Sequence, residues 1–337
     1  MAKVGRRQGA RTRRATTMAG LLAAALTASL AAGCTASDER RDDGRGRTPP
    51  PSSSNGSDAG TESRANSASV LAVKIDNARA ARPHTGLNAA DVVYVEQVEG
   101  GLSRLMAVYA TKLPKAIGPV RSARESDLEL LRQFNRPTLA FSGAQGKLLP
   151  LIDQAPLQAV TPGKAANAYF RGKYRRSPHN LYLRPHRLRT STPGAHALTT
   201  GFRFGAAPAG GKATASQTVR YFAARYTFTW SESRHRWLVA MDGKAAATTD
   251  GKRVAAGTVV VQYVKVRKSA FHDSLGKNTP FTETVGSGKA RVLRDGRAYD
   301  VDWKRPNATD GTTFTTRDGK PVNFQHGQVW VVYANAS

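Results

Sequence analysis

Short apolar runs separated by turn residues occupy the chain from residue 70 onward. The run 70–75 predicts a buried strand that ends at the polar pair Asp76-Asn77. Two further strand-like segments, 92–99 and 102–110, are joined by Gly100-Gly101, and glycines tolerate the positive φ angles of a two-residue hairpin turn. The first part of this region therefore predicts a strand followed by a β-hairpin.

A two-residue turn fixes the register of this hairpin. It pairs Gln97 with Arg104 and Glu99 with Leu102, so Glu99 and Arg104 lie diagonally on one face of the sheet. Their long side chains are then close enough to meet.

Glu96 falls on the opposite face in this register, among apolar neighbours. A carboxyl group in such surroundings has a raised pKa unless a partner charge intervenes, and Arg121 or Arg124 is the expected partner. The alternative is that Glu96 lies on a solvated edge of the sheet.

Segment 117–131 passes from an extended Gly-Pro stretch into a helix. Ser122 followed three residues later by Glu125 has the pattern of a capping box, and the leucines that follow supply an apolar stripe. The pattern predicts a helix over residues 123–134.

The start of this helix is a candidate anion site. Its first N–H groups would be unpaired and carry partial positive charge, and Arg121 and Arg124 would add two full charges. In the alternative interpretation these arginines only neutralise carboxylates inside the domain, namely those of Asp76, Glu96 or Glu99.

Beyond the helix, residues 137–142 predict another strand and residues 147–154 a short helix. The loop 170–176 is rich in cations and aromatic rings and leads into His179-Asn180. Such a loop suits phosphate or sugar phosphate, or it is simply solvated. A stretch over 205–216, rich in Ala and Gly, indicates an interdomain connection.

After this stretch the pattern changes to repeated strands. They cover 220–230, 237–241, 258–267, 290–294, 298–303 and 328–334. Asp-Gly pairs, which are typical of hairpin turns, begin at Asp242, Asp250, Asp295, Asp310 and Asp318. We therefore predict an α+β chain with a mixed α/β sheet domain over 70–205, a linker over 206–219 and a β-rich domain over 220–337.

The N-terminus has the features of an export signal. Residues 1–33 combine a basic, acid-free beginning with an apolar run too short to span a bilayer comfortably. The run ends in Leu-Ala-Ala-Gly before Cys34, which resembles a bacterial lipobox with a lipidated cysteine; ordinary secretion with an unmodified Cys34 is the alternative. Residues 34–69 predict a disordered tether. We expect a lipid anchor at the outer face of the cell membrane.

Charge and cysteine content limit the classes of partner, metal and cofactor that the sequence predicts. The formal net charge is +27, and export directs it toward anionic lipid head groups, wall polymers or envelope proteins rather than nucleic acid, which we do not expect. A basic surface without a dedicated partner is the alternative. Cys34 is the single cysteine, and the histidines lack metal-binding spacing. No metal and no cofactor is therefore predicted.

The polar residues together predict one cleft. Its candidate ligand-binding residues are Asp76, Asn77, Glu96, Glu99, Arg104, Arg121, Ser122, Arg124, His179 and Asn180. Convergent cations and donors favour binding of an anionic envelope ligand or a protein partner without chemistry. The alternative is a hydrolase or transferase acting on cell-wall glycan or peptide, with Glu96 or Asp76 as general base.

Several motifs occur together in a characteristic order. They are Val73-Lys-Ile-Asp-Asn77, Asp91-Val-Val-Tyr94, Ile117-Gly-Pro-Val-Arg-Ser-Ala-Arg124, His179-Asn-Leu-Tyr182 and Asp302-Trp-Lys304. Through them the chain resembles the YerB-like lipoprotein family, a domain of unknown function with separate N- and C-terminal parts, over about residues 70–334. The resemblance implies a membrane-anchored envelope protein with an α+β N-terminal region. It implies no established activity.

Overall fold

The computed structural model describes residues 69–273 and 276–336. They belong to a unit that spans residues 55–337, and they form two hydrophobic core clusters. We therefore expect this unit to fold without the leader. The predicted signal peptide, Cys34 and almost all of the predicted tether lie outside the described residues. No helix in the described part of the chain is long and apolar enough to cross a membrane.

Strands dominate the described residues, and the two α-helices found there are short: α1 (Glu125–Leu131) and α2 (Leu149–Gln154). The strands of the first part are β1 (Leu71–Asp76), β2 (Val92–Gln97), β3 (Ser103–Tyr109), β4 (Thr138–Ala140), β5 (Gln158–Val160), β6 (Tyr169–Arg171), β7 (Leu181–Leu183), β8 (Arg203–Phe204) and β9 (Lys212–Ala213). The α+β expectation therefore holds only loosely, because helix contributes little to the mixed first half.

The second part is almost entirely β. Its strands are β10 (Ser216–Arg220), β11 (Arg225–Ser231), β12 (Arg236–Met241), β13 (Lys244–Ala245), β14 (Ala255–Ala256), β15 (Thr258–Val264), β16 (Val266–His272), β17 (Asn278–Thr282), β18 (Gly286–Arg294), β19 (Arg297–Arg305), β20 (Thr313–Thr315), β21 (Asn323–Phe324) and β22 (Val329–Asn335). At Asp242-Gly243 and Asp295-Gly296 both turn residues have positive φ, as the Asp-Gly pattern predicts for hairpins.

One large mixed sheet runs through both halves of the chain. Its strand order is β20-β19-β18-β15-β22-β2-β3-β1-β4-β5, and β9 pairs with β19. Strands β2 and β22 pair in parallel at the centre, so the two halves share a sheet. A second sheet holds β10-β11-β12-β13, with β14 beside β12. The predicted linker also contributes, because it contains β9.

The large sheet is buried on both faces. Val93 and Val95 of β2 belong to a core shared with aromatic residues of the second sheet, whereas the alternating Val92 and Tyr94 belong to a core shared with α1 and α2. A central strand covered on both faces reads as a continuous apolar run, and this explains the sequence of β2. The α1 side of the sheet carries the candidate site.

The hairpin between β2 and β3 closes with a longer turn than predicted. Residues Glu99–Gly101 form a 3₁₀ turn. Glu96 pairs with Arg104 and Gln97 with Ser103, so the predicted register was wrong by one residue. Directly paired residues extend to the same face. Glu96 and Arg104 therefore share the face that α1 covers.

The two glycines of this turn explain the error. Gly100 and Gly101 both take positive φ, at 67° and 70°, but Glu99 also belongs to the turn. A Cβ on Gly101 would lie 2.5 Å from the Cβ of Phe222, so the neighbouring turn approaches too closely for any other residue. A packing contact with the second half of the chain thus helps to set the length of the turn.

Helix α1 begins later and ends earlier than predicted. The backbone of residues 121–123 is extended and bonded to neighbouring segments, so it cannot start a helix. Arg124 is the N-cap residue, and its backbone N–H donates to the carboxylate of Asp127 at 2.7 Å. The predicted capping box of Ser122 and Glu125 was therefore wrong. A seven-residue helix with this cap offers no separate anion site at its start.

Candidate functional site

A cleft of about 780 Å³ opens where β1 ends. Its walls come from the turn between β2 and β3, the start of α1, the loop between β6 and β7, and the hairpin β16–β17. The predicted site residues that line it are Asp76, Glu99, Arg104, Arg121, Ser122, Arg124 and His179. Most of the predicted set thus comes together in one place, although hairpin β16–β17 was assigned to a separate domain.

Asp76 is the centre of one hydrogen-bonded group in the cleft. Its Oδ1 accepts the N–H of Ala78 at 3.0 Å, and its Oδ2 lies 2.7 Å from Nδ1 of His179 and 3.4 Å from Nε of Arg121. Pairing of Nδ1–H with a carboxylate orients the imidazole and leaves Nε2 available to a ligand. The His179 side chain is 25% exposed. Asp76 therefore positions a histidine that solvent can reach.

Arg124 and Glu99 form a two-pronged ion pair at the opposite wall. Nε and Nη2 of Arg124 donate to the two carboxylate oxygens at 2.6 and 2.8 Å, and the hydroxyl of Thr279 adds a bond at 2.6 Å. Burial alone would raise the pKa of Glu99, but the bonds from Arg124 outweigh burial and lower the pKa. Arg124 is thus occupied by an internal carboxylate, as one of the two predicted alternatives has it.

Arg104 differs from the other two arginines of the cleft. Only 9% of the residue is exposed, and its Nη1 donates to the backbone carbonyl of Ser122 at 2.8 Å. Among the described residues, Arg104 forms no ion pair with a carboxylate. Burial, followed by repulsion from Arg124 and then Arg121, lowers its pKa to about 10, with Glu99 and Asp76 acting the other way. The floor of the cleft therefore holds a buried guanidinium that no carboxylate of the described residues contacts directly.

Beneath this floor lies a buried triad of Lys74, Glu96 and Asp127. The ammonium of Lys74 donates to both carboxylates, and each of the three residues is at most 1% exposed. The prediction that Glu96 pairs with Arg121 or Arg124 was wrong, and so was the alternative of a solvated edge. Glu96 does not line the cleft. It is consequently unavailable as a general base for a ligand bound there.

The triad holds two acids and one base in a dry core. Burial raises the pKa of Glu96 to about 7, against the attraction of Lys74 and together with repulsion from Asp127. Burial would lower the pKa of Lys74, but attraction to Asp127 and Glu96 outweighs it and the pKa is raised. Oε1 of Glu96 has no hydrogen-bond partner within the described residues. One ammonium thus faces two carboxyl groups, and Glu96 is the carboxyl group whose pKa burial raises.

Two predicted site residues support the walls instead of facing the cleft. Asn77 donates to Ser103 and Tyr226, which ties the end of β1 to the second sheet. Asn180 accepts from Arg171 at 2.8 Å and donates to the carbonyl of Gly172 at 3.1 Å, which closes the loop between β6 and β7. Both residues therefore hold loops that place Asp76 and His179.

The sequence contained a signal for the triad that the prediction missed. Lys74 interrupts an otherwise apolar buried strand, and a buried lysine requires a buried carboxylate partner. Asp127 was assigned only to the helix, although it caps α1 and binds Lys74. In the described part of the chain, no group of three or more His, Cys, Asp or Glu is placed to hold a metal ion.

This architecture and these motifs match a known family. A family model described as "Protein of unknown function (DUF3048) N-terminal domain" matches residues 56–198, and the corresponding C-terminal domain matches residues 217–331. The chain belongs to this family. The gap between the two matched regions overlaps the predicted linker. The resemblance to YerB-like proteins is thereby confirmed.

Relatives of this family member support the same assignment. "Putative lipoprotein YerB" of Bacillus subtilis (strain 168) is 25% identical over 290 residues, which are 80% of this chain and 82% of the relative. The crystal structure of the YerB protein from Bacillus subtilis superposes with a TM-score of 0.67 at 19% identity, covering 81% of this chain and 93% of that chain. At that identity the structural likeness shows the fold alone.

Proposed function

We propose that this family member is a lipoprotein anchored through Cys34 at the extracytoplasmic face of the cell membrane, and that its cleft binds an anionic envelope ligand or an acidic protein partner. The leader pattern and the name of the Bacillus subtilis relative support the anchor. The lining of the cleft supports the binding role.

Arg104 is the observation that carries the binding proposal. A buried guanidinium without a carboxylate partner is costly, and a bound phosphate or carboxylate would supply the missing charge. The neighbouring Arg121 is 28% exposed on its side chain and can reach the same ligand. Charge-assisted bonds to both would hold the anion at the floor of the cleft.

Arg104→Met tests the binding role. Loss of one charge-assisted bond worth about 1.5–3 kcal/mol should weaken binding of inorganic phosphate or sulfate roughly 10- to 150-fold by isothermal titration calorimetry. Arg104→Lys, which keeps the charge, should retain part of the affinity. Arg203→Met, at an exposed arginine of β8 outside the cleft, is the matched control. Equal affinity in Arg104→Met and the parent, or no anion binding by either, would contradict the proposal.

The Asp76–His179 pair favours a second candidate function. A histidine oriented by a buried carboxylate, with Nε2 open to a cleft, is the arrangement of a general base that activates water or a ligand hydroxyl. Arg104 and Arg121 would then stabilise the developing oxyanion. The corresponding activity is hydrolysis or group transfer on cell-wall glycan or peptide.

Incubation with isolated envelope material tests this candidate. Products released by the parent and seen by mass spectrometry should disappear in His179→Ala, because no other residue can replace the base at that position. His186→Ala is the control, since His186 is exposed and lies outside the cleft. Release that persists in His179→Ala, or no release from any sample, would leave the binding role alone.

A further inference from the structure

Two exposed aromatic side chains stand at turns beside the mouth of the cleft. Tyr174 lies in the loop between β6 and β7 and is 102% exposed, and Phe222 lies in the turn between β10 and β11 and is 97% exposed. Each ring has exposed cations close to it in the sequence. Lys173 and Arg176 are exposed beside Tyr174, and Arg220 is exposed beside Phe222. We call these five residues the basic rim.

Backbone contacts tie each of the two turns to a different segment near the cleft. Arg175 donates to the carbonyl of Pro83 at 2.7 Å, which ties the Tyr174 loop to the segment that follows β1. The N–H of Ala223 donates to the carbonyl of Gly101 at 2.9 Å, which ties the Phe222 turn to the β2–β3 turn. His179 of the first loop and Leu102 of the β2–β3 turn both line the cleft. Each turn of the basic rim therefore adjoins a residue that lines the cleft, while the five rim residues themselves lie outside the cleft lining.

Ring stacking, a cation–π contact and a hydrogen bond fix the base of the loop that carries Tyr174. Phe170 stacks on Tyr182 with ring centroids 5.4 Å apart, and the guanidinium of Arg184 lies 4.0 Å from the centre of the Phe170 ring. Arg175 also donates to the hydroxyl of Tyr182 at 2.6 Å. The fixed base turns Lys173, Tyr174 and Arg176 outward, so their exposure is built into the hairpin.

The segment of the chain that carries the basic rim contains basic residues and no acidic residue. The sequence has no aspartate or glutamate between Asp153 and Glu232, and both rim turns fall inside this stretch. Lys173, Arg176 and Arg220 form no ion pair within the described residues. Asp242 lies in the same surface depression as Arg220 and Phe222, but it already pairs with Arg82, so the three rim cations keep a net positive field that attracts a polyanion.

We propose that the basic rim docks on a lipid bilayer surface that carries anionic head groups. A tyrosine and a phenylalanine projecting from turns fit the boundary between head groups and acyl chains, where Tyr is enriched and apolar rings leave water. Lysine and arginine beside them bind the anionic head groups. A soluble wall polymer would satisfy the cations but would offer the rings no apolar medium.

The length of the chain before the described unit permits this orientation. Ser69 lies at the start of β1, and the cleft lies at its other end. If the segment between Cys34 and Ser69 is the tether that the sequence predicts, its about 35 residues would have an r.m.s. reach on the order of 30–35 Å. The body can therefore turn its cleft end toward the membrane that holds the anchor, which places the cleft mouth beside the bilayer.

Vesicle flotation of residues 55–337, the compact unit without the anchor, tests the proposal. The unit should bind vesicles of phosphatidylcholine mixed with phosphatidylglycerol, and should bind pure phosphatidylcholine vesicles far more weakly. Each cation at an anionic surface raises partitioning roughly fivefold, so Lys173→Gln with Arg176→Gln should lower it roughly 25-fold. Tyr174→Ala and Phe222→Ala should each lower it several-fold, with unchanged thermal stability because both side chains are exposed.

Lys304→Gln with Arg317→Gln is the matched charge control, because both residues are exposed and lie in or next to β19 and β20, away from the cleft. Equal binding by this control pair and the rim pair would reduce the effect to net charge and overturn the proposal. The proposal would also be overturned if the protein does not bind vesicles but binds a soluble polyglycerol phosphate. Phosphate binding in the cleft should be unaltered in the rim variants, so this proposal and the cleft proposal can fail separately.

Discussion

Lys74→Met is expected to lower the free energy of unfolding by about 3–5 kcal/mol at pH 8, because it leaves Glu96 and Asp127 buried without a countercharge. The methionine fills much of the lysine volume, so the loss reports charge more than packing. Urea unfolding at equilibrium measures it. The loss should be smaller at pH 5, which lies below the raised pKa of Glu96, because a protonated Glu96 is neutral in the core.

The pH dependence of the parent follows from the same triad. The folded pKa of Glu96, about 7, lies above its ordinary value, so the folded state holds a proton that the unfolded state releases. The stability that this proton contributes is complete below the ordinary carboxyl pKa and is lost as pH rises through about 7. Glu96→Gln should remove this part of the pH dependence.

Two controls separate the triad from general effects. Lys304→Met, at an exposed lysine of β19, should change stability by no more than about 0.5 kcal/mol. Adding Glu96→Gln to Lys74→Met should recover part of the loss at pH 8, because one buried charge disappears. If Lys74→Met loses less than about 1 kcal/mol at pH 8, the triad is not charged in the way described.

The sequence pattern predicts where strands lie better than it predicts how they pair. Apolar runs identified β1, β2 and the six longer, more buried strands β11, β12, β15, β18, β19 and β22 of the second half, because each of these keeps its hydrophobic positions whatever its neighbours are, but the runs missed the short strands between them. The pattern could not say that β2 and β22 pair in parallel, since that contact joins residues from opposite ends of the described chain. Without that pairing, the two halves appeared as separate sheets.

For the candidate site too, the sequence indicated the residues but not the contacts between them. Asp76 was found because a polar residue follows an apolar strand, and His179 because it stands in a conspicuous loop next to a basic cluster. The contact between Asp76 and His179 joins residues 103 positions apart, and the position of Arg104 depends on a register that the Phe222 contact with Gly101 helps to set. Local patterns thus identified the participants, and long-range packing decided which partner each one meets.

Arg305→Met is expected to lower the free energy of unfolding by about 3–5 kcal/mol. Arg305 is fully buried in β19, and its guanidinium donates to the carbonyls of Glu129 and Asp310 and to the hydroxyl of Thr284. Removal of the guanidinium leaves these buried acceptors without the hydrogen bonds that it donates. The Glu129 carboxylate in turn accepts the N–H groups of Thr284 and Val285, at 2.7 and 3.2 Å. Arg305 therefore joins helix α1 of the first half to the second half.

This junction predicts cooperative unfolding of both halves. Hydrogen exchange should show amides of α1 and of β22 losing protection together in Arg305→Met, because a shared sheet and a shared buried guanidinium couple them. Arg291→Met is the control, since Arg291 is part of an exposed pair with Asp300 and its loss should lower stability by no more than about 1 kcal/mol. Retained stability in Arg305→Met would contradict this coupling, as would a first half that stays protected after the second half has opened.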